Sequence, residues 1–506
     1  MQPDLPRREL LTTLLAAGLA PAFSRHARAA DLPRFALGIA SGHPHAGGMV
    51  LWTRLVGDAL PERVDVAWEV AHDAAFTNIA ARGVEVAETA WAHSVHAEPT
   101  GLASARWYFY RFTALGQRSM VGRTRTAPAP DAAGAPLRFS ISSCQRWDHG
   151  HYAAWRDVAA SNLDLVLFLG DYIYEYPALP SAVRLHRGGT VHSLDAYRER
   201  YAQYKSDPLL QAAHAACPWL VVWDDHEVAN DYAGLEGRST KSGFARQRAA
   251  AYQAYWEHMP FAHAARPVGP DMRIYGRLDW GRLARIHLLD DRQYRDVQAC
   301  PKPGRSGGNT LHLRDCPELE DPQRTLLGTA QEQWLASGWS LDRPWNLLAQ
   351  QTLMARLSLT DTTQGGTYRT DGWDGYASAR RRLLGTVADR HVPGVVVLGG
   401  DIHANVVADL RLDFGDPGSP VIASEFCGGS ITSRGPAQPR LDAARAFNPH
   451  LHHARGDEHG HMRFELDAGT LQAELRVADN VQDERSEVRT RARFSVAAGR
   501  PGPQRG

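Results

Sequence analysis

Asp224, Asp225, His226 and Glu227 follow without a break on the apolar run WLVVW (219–223), and Asn230 and Asp231 come close behind. Burying a bare carboxylate is costly, so this segment must either surface in water or meet a positive partner. The pattern recurs. LRFSISS runs into Cys144 and Gln145, LVLFLG into Asp171, Tyr172, Tyr174 and Glu175, and VVVLGG into Asp401, His403 and Asn405. Taken singly, an Asp after a strand is usually a turn or cap residue, and a strand-end Cys is usually just small and buried. Four strand ends that each carry oxygen, imidazole or thiol donors point instead to one metal site, because in α/β sheets the carboxyl ends of strands converge on the ligand.

The elements that must position these residues can be read from apolar runs and turn signals. After residue 136 the runs recur at 137–142, 163–170, 219–223, 282–290, 346–351, 392–400 and 421–426, with helical patterns at 151–160, 192–214, 240–258, 329–340 and 376–390. This is α/β organisation over 137–490, with sheets stacked between helices. HMRFEL and LQAELRV suggest a closing antiparallel pair. Residues 35–126 differ: VLWTRL, VDVAWEV and WYFYRFTAL alternate apolar and polar positions, as in a small all-β sandwich of fibronectin or immunoglobulin type. APAPDAAGAP (127–136) reads as the linker, and the Arg/Gly/Pro-rich stretch 494–506 as a disordered tail.

The balance of 56 basic against 56 acidic residues gives no basic field for nucleic acid or anionic membrane. At the N-terminus, Arg7 and Arg8 precede an apolar run from Leu10 to Phe23, and Ala27-Arg28-Ala29 offers a cleavage site. The run is too short to span a bilayer and reads as a twin-arginine signal peptide over 1–29, with an ordinary Sec signal as the alternative; the twin-arginine reading predicts passage through the twin-arginine export machinery to a periplasmic or secreted location. In an oxidising compartment Cys300 and Cys316, which bracket a Gly/Pro-rich loop, are candidates for a disulfide. Cys217 and Cys427 read as small buried apolar residues.

SSCQ, GDYIYEY, VVWDDHE and GGDIHAN, with FALGIASGHPHAGGMVLWTRL before them, resemble the PhoD-type alkaline phosphatases of the calcineurin-like metallophosphoesterase superfamily. The resemblance extends from about 35 to 490 and takes in QEQWL (331–335), the QQ pair (350–351) and WDGY (373–376). It implies a four-layer α/β/β/α catalytic domain behind an N-terminal β domain. It also implies hydrolysis of small-molecule phosphoesters, with attack on phosphorus by a metal-bound hydroxide or oxide.

Carried over residue by residue, the resemblance makes Asp171 a bridging ligand, with Cys144 and Tyr174 as the thiolate and phenolate that suit Fe³⁺. Asp401 and His403 complete the shell. Asp401 stands where the wider superfamily has His, and that hard oxygen donor favours one or two Ca²⁺ ions beside the iron. Asp224 and Asp225 replace the superfamily's Gly-Asn; either one is the ligand and the other the brace, and Asn230 adds a carbonyl. His226 is left to face the substrate as proton donor. Arg184 and Arg187, after the YIYEY loop, are the first candidates for phosphate binding.

Two rival classes remain open from the sequence. One is a cysteine hydrolase with Cys144 as nucleophile and His226 or His403 as base. The other is a non-catalytic surface-binding protein with structural metals. Within the hydrolase class, a phosphodiesterase or phospholipase D-type activity on phospholipid substrates is the alternative to monoester hydrolysis.

Overall fold

The structure is a computed structural model that describes residues 33–133, 135–237 and 243–506. The expected signal peptide falls within residues 1–32, outside the described residues. Among the described residues no helix is long and apolar enough to cross a membrane.

The N-terminal region holds β1 (Ile39–His45), β2 (Gly48–Arg54), β3 (Arg63–Ala71), β4 (Ile79–Glu88), β5 (Ser94–Ala97), β6 (Trp107–Ala114), β7 (Gln117–Arg118) and β8 (Gly122–Arg125). In β6 the burial alternates residue by residue, which turns Tyr108, Tyr110 and Phe112 onto a core shared with Val64, Val66, Ile39 and Leu51. The sandwich therefore forms, but one of its sheets is not its own. Strands β1, β2 and β5 continue a ten-stranded sheet of the second region. The 127–136 segment is also pinned: Ala127 donates its N–H to His45, and Arg343 reaches the Pro130 carbonyl.

The second region supplies β9 (Leu137–Ser142), α1 (Ala153–Ala160), β10 (Leu165–Phe168), α2 (Leu194–Lys205), α3 (Pro208–Ala216), β11 (Trp219–Val221) and α4 (Phe244–His258). It continues with β12 (Gly276–Trp280), β13 (Ala284–Leu288), β14 (Thr310–His312), α5 (Gly328–Gly338), β15 (Trp345–Ala349), β16 (Thr367–Arg369), α6 (Ala377–Asp389) and β17 (Val395–Gly399). The chain ends with β18 (Asn405–Arg411), β19 (Val421–Cys427), α7 (Gln438–Arg445), β20 (Leu451–Arg455), β21 (Gly460–Leu466), β22 (Thr470–Ala478), β23 (Val488–Ala497) and β24 (Arg500–Arg505). The helical pattern at 192–214 resolves into two helices. Pro208 opens α3, and Asp207 caps it by accepting the N–H groups of Leu209 and Leu210.

Two mixed sheets stack face to face. One runs β24-β23-β22-β21-β9-β10-β11-β1-β2-β5, the other β12-β13-β15-β17-β19-β18-β20. The alternation of β17 explains the layering. Val396 and Leu398 enter the core between the sheets, while Val395 and Val397 face the helical core that holds Leu335 and Leu384. In each sheet the central strands are parallel, β9-β10-β11 in one and β13-β15-β17-β19 in the other.

The stretch 494–506 is not disordered. Phe494 and Val496 alternate into the core, β23 pairs with β24, and the Gly502 N–H reaches Ser424 Oγ at 2.9 Å. The catalytic region thus extends past 490 to the end of the described chain. The Arg/Gly/Pro composition that suggested disorder belongs to an edge strand, where proline is tolerated.

Candidate metal centre

The parallel strands of both sheets deliver their carboxyl ends to one place. Five residues there hold a left-handed backbone: Cys144 (φ 56), Asp171 (φ 60), Asp231 (φ 57), Asp401 (φ 64) and His403 (φ 52). A non-glycine residue in this region costs about 1–2 kcal/mol, and such strain gathers at functional sites. Gly170 shows how closely the ends approach. Its φ is +106, and a Cβ there would lie 2.4 Å from that of Asp224, so the Gly-Asp pair lets β10 and β11 meet.

The donor atoms fall into overlapping groups, each within 4.8 Å: Cys144, Asp171 and His403; Asp171, Asp225 and His226; Asp224, Asp225 and Asp401; Asp225, Asp231 and Asp371. Asp171 belongs to two of them. Tyr174 donates its hydroxyl to Asp171 Oδ2 at 2.7 Å, lies 3.1 Å from His403 Nε2, and accepts from Ser433 at 2.7 Å. Asp225 Oδ1 and Asp224 Oδ2 are buried without a hydrogen-bond partner. Burial pushes the Asp225 carboxyl up to about 7 and raises Asp224 and Asp401 as well. Burial would also raise Asp171, but His226 and His403 hold it below the usual carboxylate range. Orphaned carboxylate oxygens beside a thiol, a phenol and an imidazole fit a site that holds cations.

Two glutamates organise the site. Glu227 accepts the backbone N–H of Asp171 at 3.1 Å and of Asp224 at 2.8 Å, and that of Tyr172 as well, so it ties the ends of β10 and β11 together. Glu175 accepts from the ring of His226 at Nδ1 (2.6 Å) and from the Asn230 N–H (2.9 Å). Burial would lower the His226 pKa; Glu175, Asp171 and Asp225 carry it well above its ordinary value.

The arginines correct the sequence reading. Arg184 pairs with Asp207 at 2.7 Å and stacks on Trp147, while Arg187 is exposed with its backbone held by Gln203. Among the described residues neither is hydrogen-bonded or ion-paired to the cluster. Arg292 occupies the centre instead, fully buried, paired with Asp224, with Asp371 at 2.6 Å and with Asp401 at 3.4 Å. Arg295 also holds Asp371, at 2.9 Å. A signal for Arg292 existed: the run RLARIHLL ends in Asp290-Asp291-Arg292, the same strand-end pattern as the others. Asp371 stands two residues before WDGY. Cys300 and Cys316 form a disulfide, and Cys217 and Cys427 are buried free thiols.

Two stacked mixed sheets between helical layers, with this cluster at the carboxyl ends of both, match what the resemblance to the calcineurin-like metallophosphoesterases implies, and the relatives make the chain a phosphoester hydrolase. The chain belongs to the PhoD-like phosphatase family, whose sequence signature matches residues 139–475 and whose N-terminal-domain signature matches 18–128. It is 42% identical over 478 residues to alkaline phosphatase D of Bacillus subtilis (strain 168), covering 91% of this chain and 80% of that protein. A solved structure described as that of PhoD superposes with a TM-score of 0.88 at 40% identity, covering 96% of this chain and 93% of the other.

Proposed function

We propose that this chain is an exported, metal-dependent phosphatase that releases inorganic phosphate from organic phosphomonoesters. Cys144, Asp171, Tyr174 and His403 would hold Fe³⁺. Asp171, Asp401, Asn230 and one or both of Asp224 and Asp225, whose Oδ2 and Oδ1 are buried without a hydrogen-bond partner, would hold one or two Ca²⁺ ions. The observation that carries this reading is that Asp171 lies in two donor groups at once, one with a thiol and one rich in carboxylates. Hard oxygen donors suit calcium, and thiolate and phenolate suit ferric iron.

Bound there, the cations supply charge stabilisation to the phosphoryl oxygens and Lewis-acid activation. The protein contributes the rest. Glu175 fixes His226 through Nδ1, so the proton on Nε2, which has no hydrogen-bond partner among the described residues, is the one available to the leaving alkoxide. The buried Cys144 thiol is raised well above its ordinary pKa by burial and by Asp171. That is the reverse of an activated cysteine nucleophile, which argues against the cysteine-hydrolase reading. Export to a periplasmic or secreted location by the twin-arginine route is supported by the leader sequence and by the Cys300–Cys316 disulfide.

The test is hydrolysis of p-nitrophenyl phosphate, bis(p-nitrophenyl) phosphate and phosphatidylcholine, with and without a chelator. The monoester should be cleaved best and the chelator should abolish turnover. Metal-replete protein inert on the monoester, or indifferent to the chelator, would overturn the reading. Faster cleavage of the diester or of the phospholipid would replace it with the phosphodiesterase alternative.

A further inference from the structure

Among the described residues Arg292, Arg295 and Arg369 approach the carboxylate cluster, and of these three the Arg369 side chain alone is uncommitted. Arg292 and Arg295 are each paired with carboxylates. The Arg369 side chain makes no hydrogen bond or ion pair among the described residues, although Asp401, Asp371, Asp231 and Asp225 lie near enough to act on it electrostatically. It sits at the end of β16, opposite Thr310 of β14, in a two-stranded antiparallel ribbon. The same ribbon is anchored to the centre. The Gly308 N–H donates to Asp231 Oδ2 at 3.1 Å, and the Asp231 N–H donates to Asp225 Oδ2 at 2.6 Å. The loop that leads into β14 carries Lys302 and is closed by the Cys300–Cys316 disulfide.

Arg369 and Lys302 line one cleft of about 290 Å³ together with Asn230, Asp231, Asn309 and Thr310. The cleft borders the centre through Asn230 and Asp231, but it does not include Cys144, Asp171 or His226. Among the described residues neither the Arg369 guanidinium nor the Lys302 ammonium has a hydrogen-bond or ion-pair partner, and the cleft they line lies beside the metal-competent residues rather than over them. A group held there belongs to the part of the substrate that is not transferred. A guanidinium and an ammonium lining a cleft favour oxyanions.

We propose that Arg369 and Lys302 form a leaving-group subsite for a second oxyanion, so that the enzyme favours phosphoesters whose alcohol portion is itself negatively charged. This rests on the phosphatase reading, and the experiment separates the two. The metal-replete enzyme is assayed on 4-carboxyphenyl phosphate and on 4-carbamoylphenyl phosphate, which differ in the charge of one substituent. The carboxylate should be preferred in kcat/KM by about tenfold, the size of one charge-assisted contact, with the difference lying in KM. Arg369→Gln should collapse that ratio toward one, Lys302→Gln should reduce it in part, and high salt should weaken it. Both side chains are exposed, so the glutamines are compatible with the fold.

An enzyme inert on both compounds fails the phosphatase reading. An enzyme that cleaves it without preferring the carboxylate fails only the subsite. If Arg369→Gln slows both compounds equally and leaves the ratio intact, Arg369 holds the transferred phosphoryl group and the proposal is overturned.

Discussion

Glu227 accepts the backbone N–H of Asp171 at 3.1 Å, across two strands of the same sheet. With Tyr172 and Asp224 also donating to it, one carboxylate satisfies three backbone donors beside the metal-competent residues. Glu227→Ala would leave buried donors unpaired, at about 1–3 kcal/mol each. The variant should unfold at clearly lower urea concentration and retain less metal. An unchanged midpoint with full metal content would show that the brace is dispensable.

His226 and Glu175 make a separable claim. If His226 protonates the leaving oxygen, His226→Ala should cost about 10²–10⁴-fold on an alkyl phosphate and much less on p-nitrophenyl phosphate, whose leaving group needs no proton. Glu175→Gln removes a charge that raises the His226 pKa, so the alkaline limb of the alkyl-phosphate profile should move to lower pH. Equal losses on both substrates would remove His226 from the proton-transfer role.

Acid should destabilise the protein through histidines remote from the centre. Burial drives His96 and His287 down to about 3 and His450 to about 4. Unfolded histidine takes up a proton near 6.5. Between that value and the folded pKa the unfolded state binds more protons, so stability is present above pH 6.5 and falls as pH drops through this window. Each ring contributes a slope of about 1.4 kcal/mol per pH unit. His96, stacked 3.7 Å from Trp256, is the cleanest to remove. His96→Gln should flatten the slope of unfolding free energy between pH 6 and 4.5 by roughly 1 kcal/mol per unit. Parallel slopes in wild type and variant would contradict this.

How much was legible in the sequence depended on whether the chemistry was local. Cys144, Asp171, Asp225 and His403 could be grouped because each follows an apolar strand directly, and parallel strands bring such ends together. Arg292 escaped because its partners, Asp224, Asp371 and Asp401, arrive from other strands, and nothing near residue 292 names them. Arg184 and Arg187 were chosen for nearness to YIYEY along the chain. The loop folds back instead: Asp148 accepts the Leu179 N–H at 3.0 Å, its carbonyl accepts that of Val183, and Arg184 is delivered to the cap of α3.

The N-terminal sandwich was visible from its alternation, but its sharing of a sheet was not. Whether β1 finds a partner in β11 depends on an edge more than 170 residues away. The tail failed for a different reason. Composition outweighed the short alternation of Phe494 and Val496, which is the feature that buries it.

The central claim is that Asp171 is shared between an iron and a calcium position. Elemental analysis of the purified enzyme, read together with its visible spectrum, tests this most directly. The expected result is iron and calcium in the same protein, with a charge-transfer band that disappears in Tyr174→Phe or Cys144→Ala and loss of both metals in Asp171→Asn. A colourless, fully active protein that contains only zinc would contradict it.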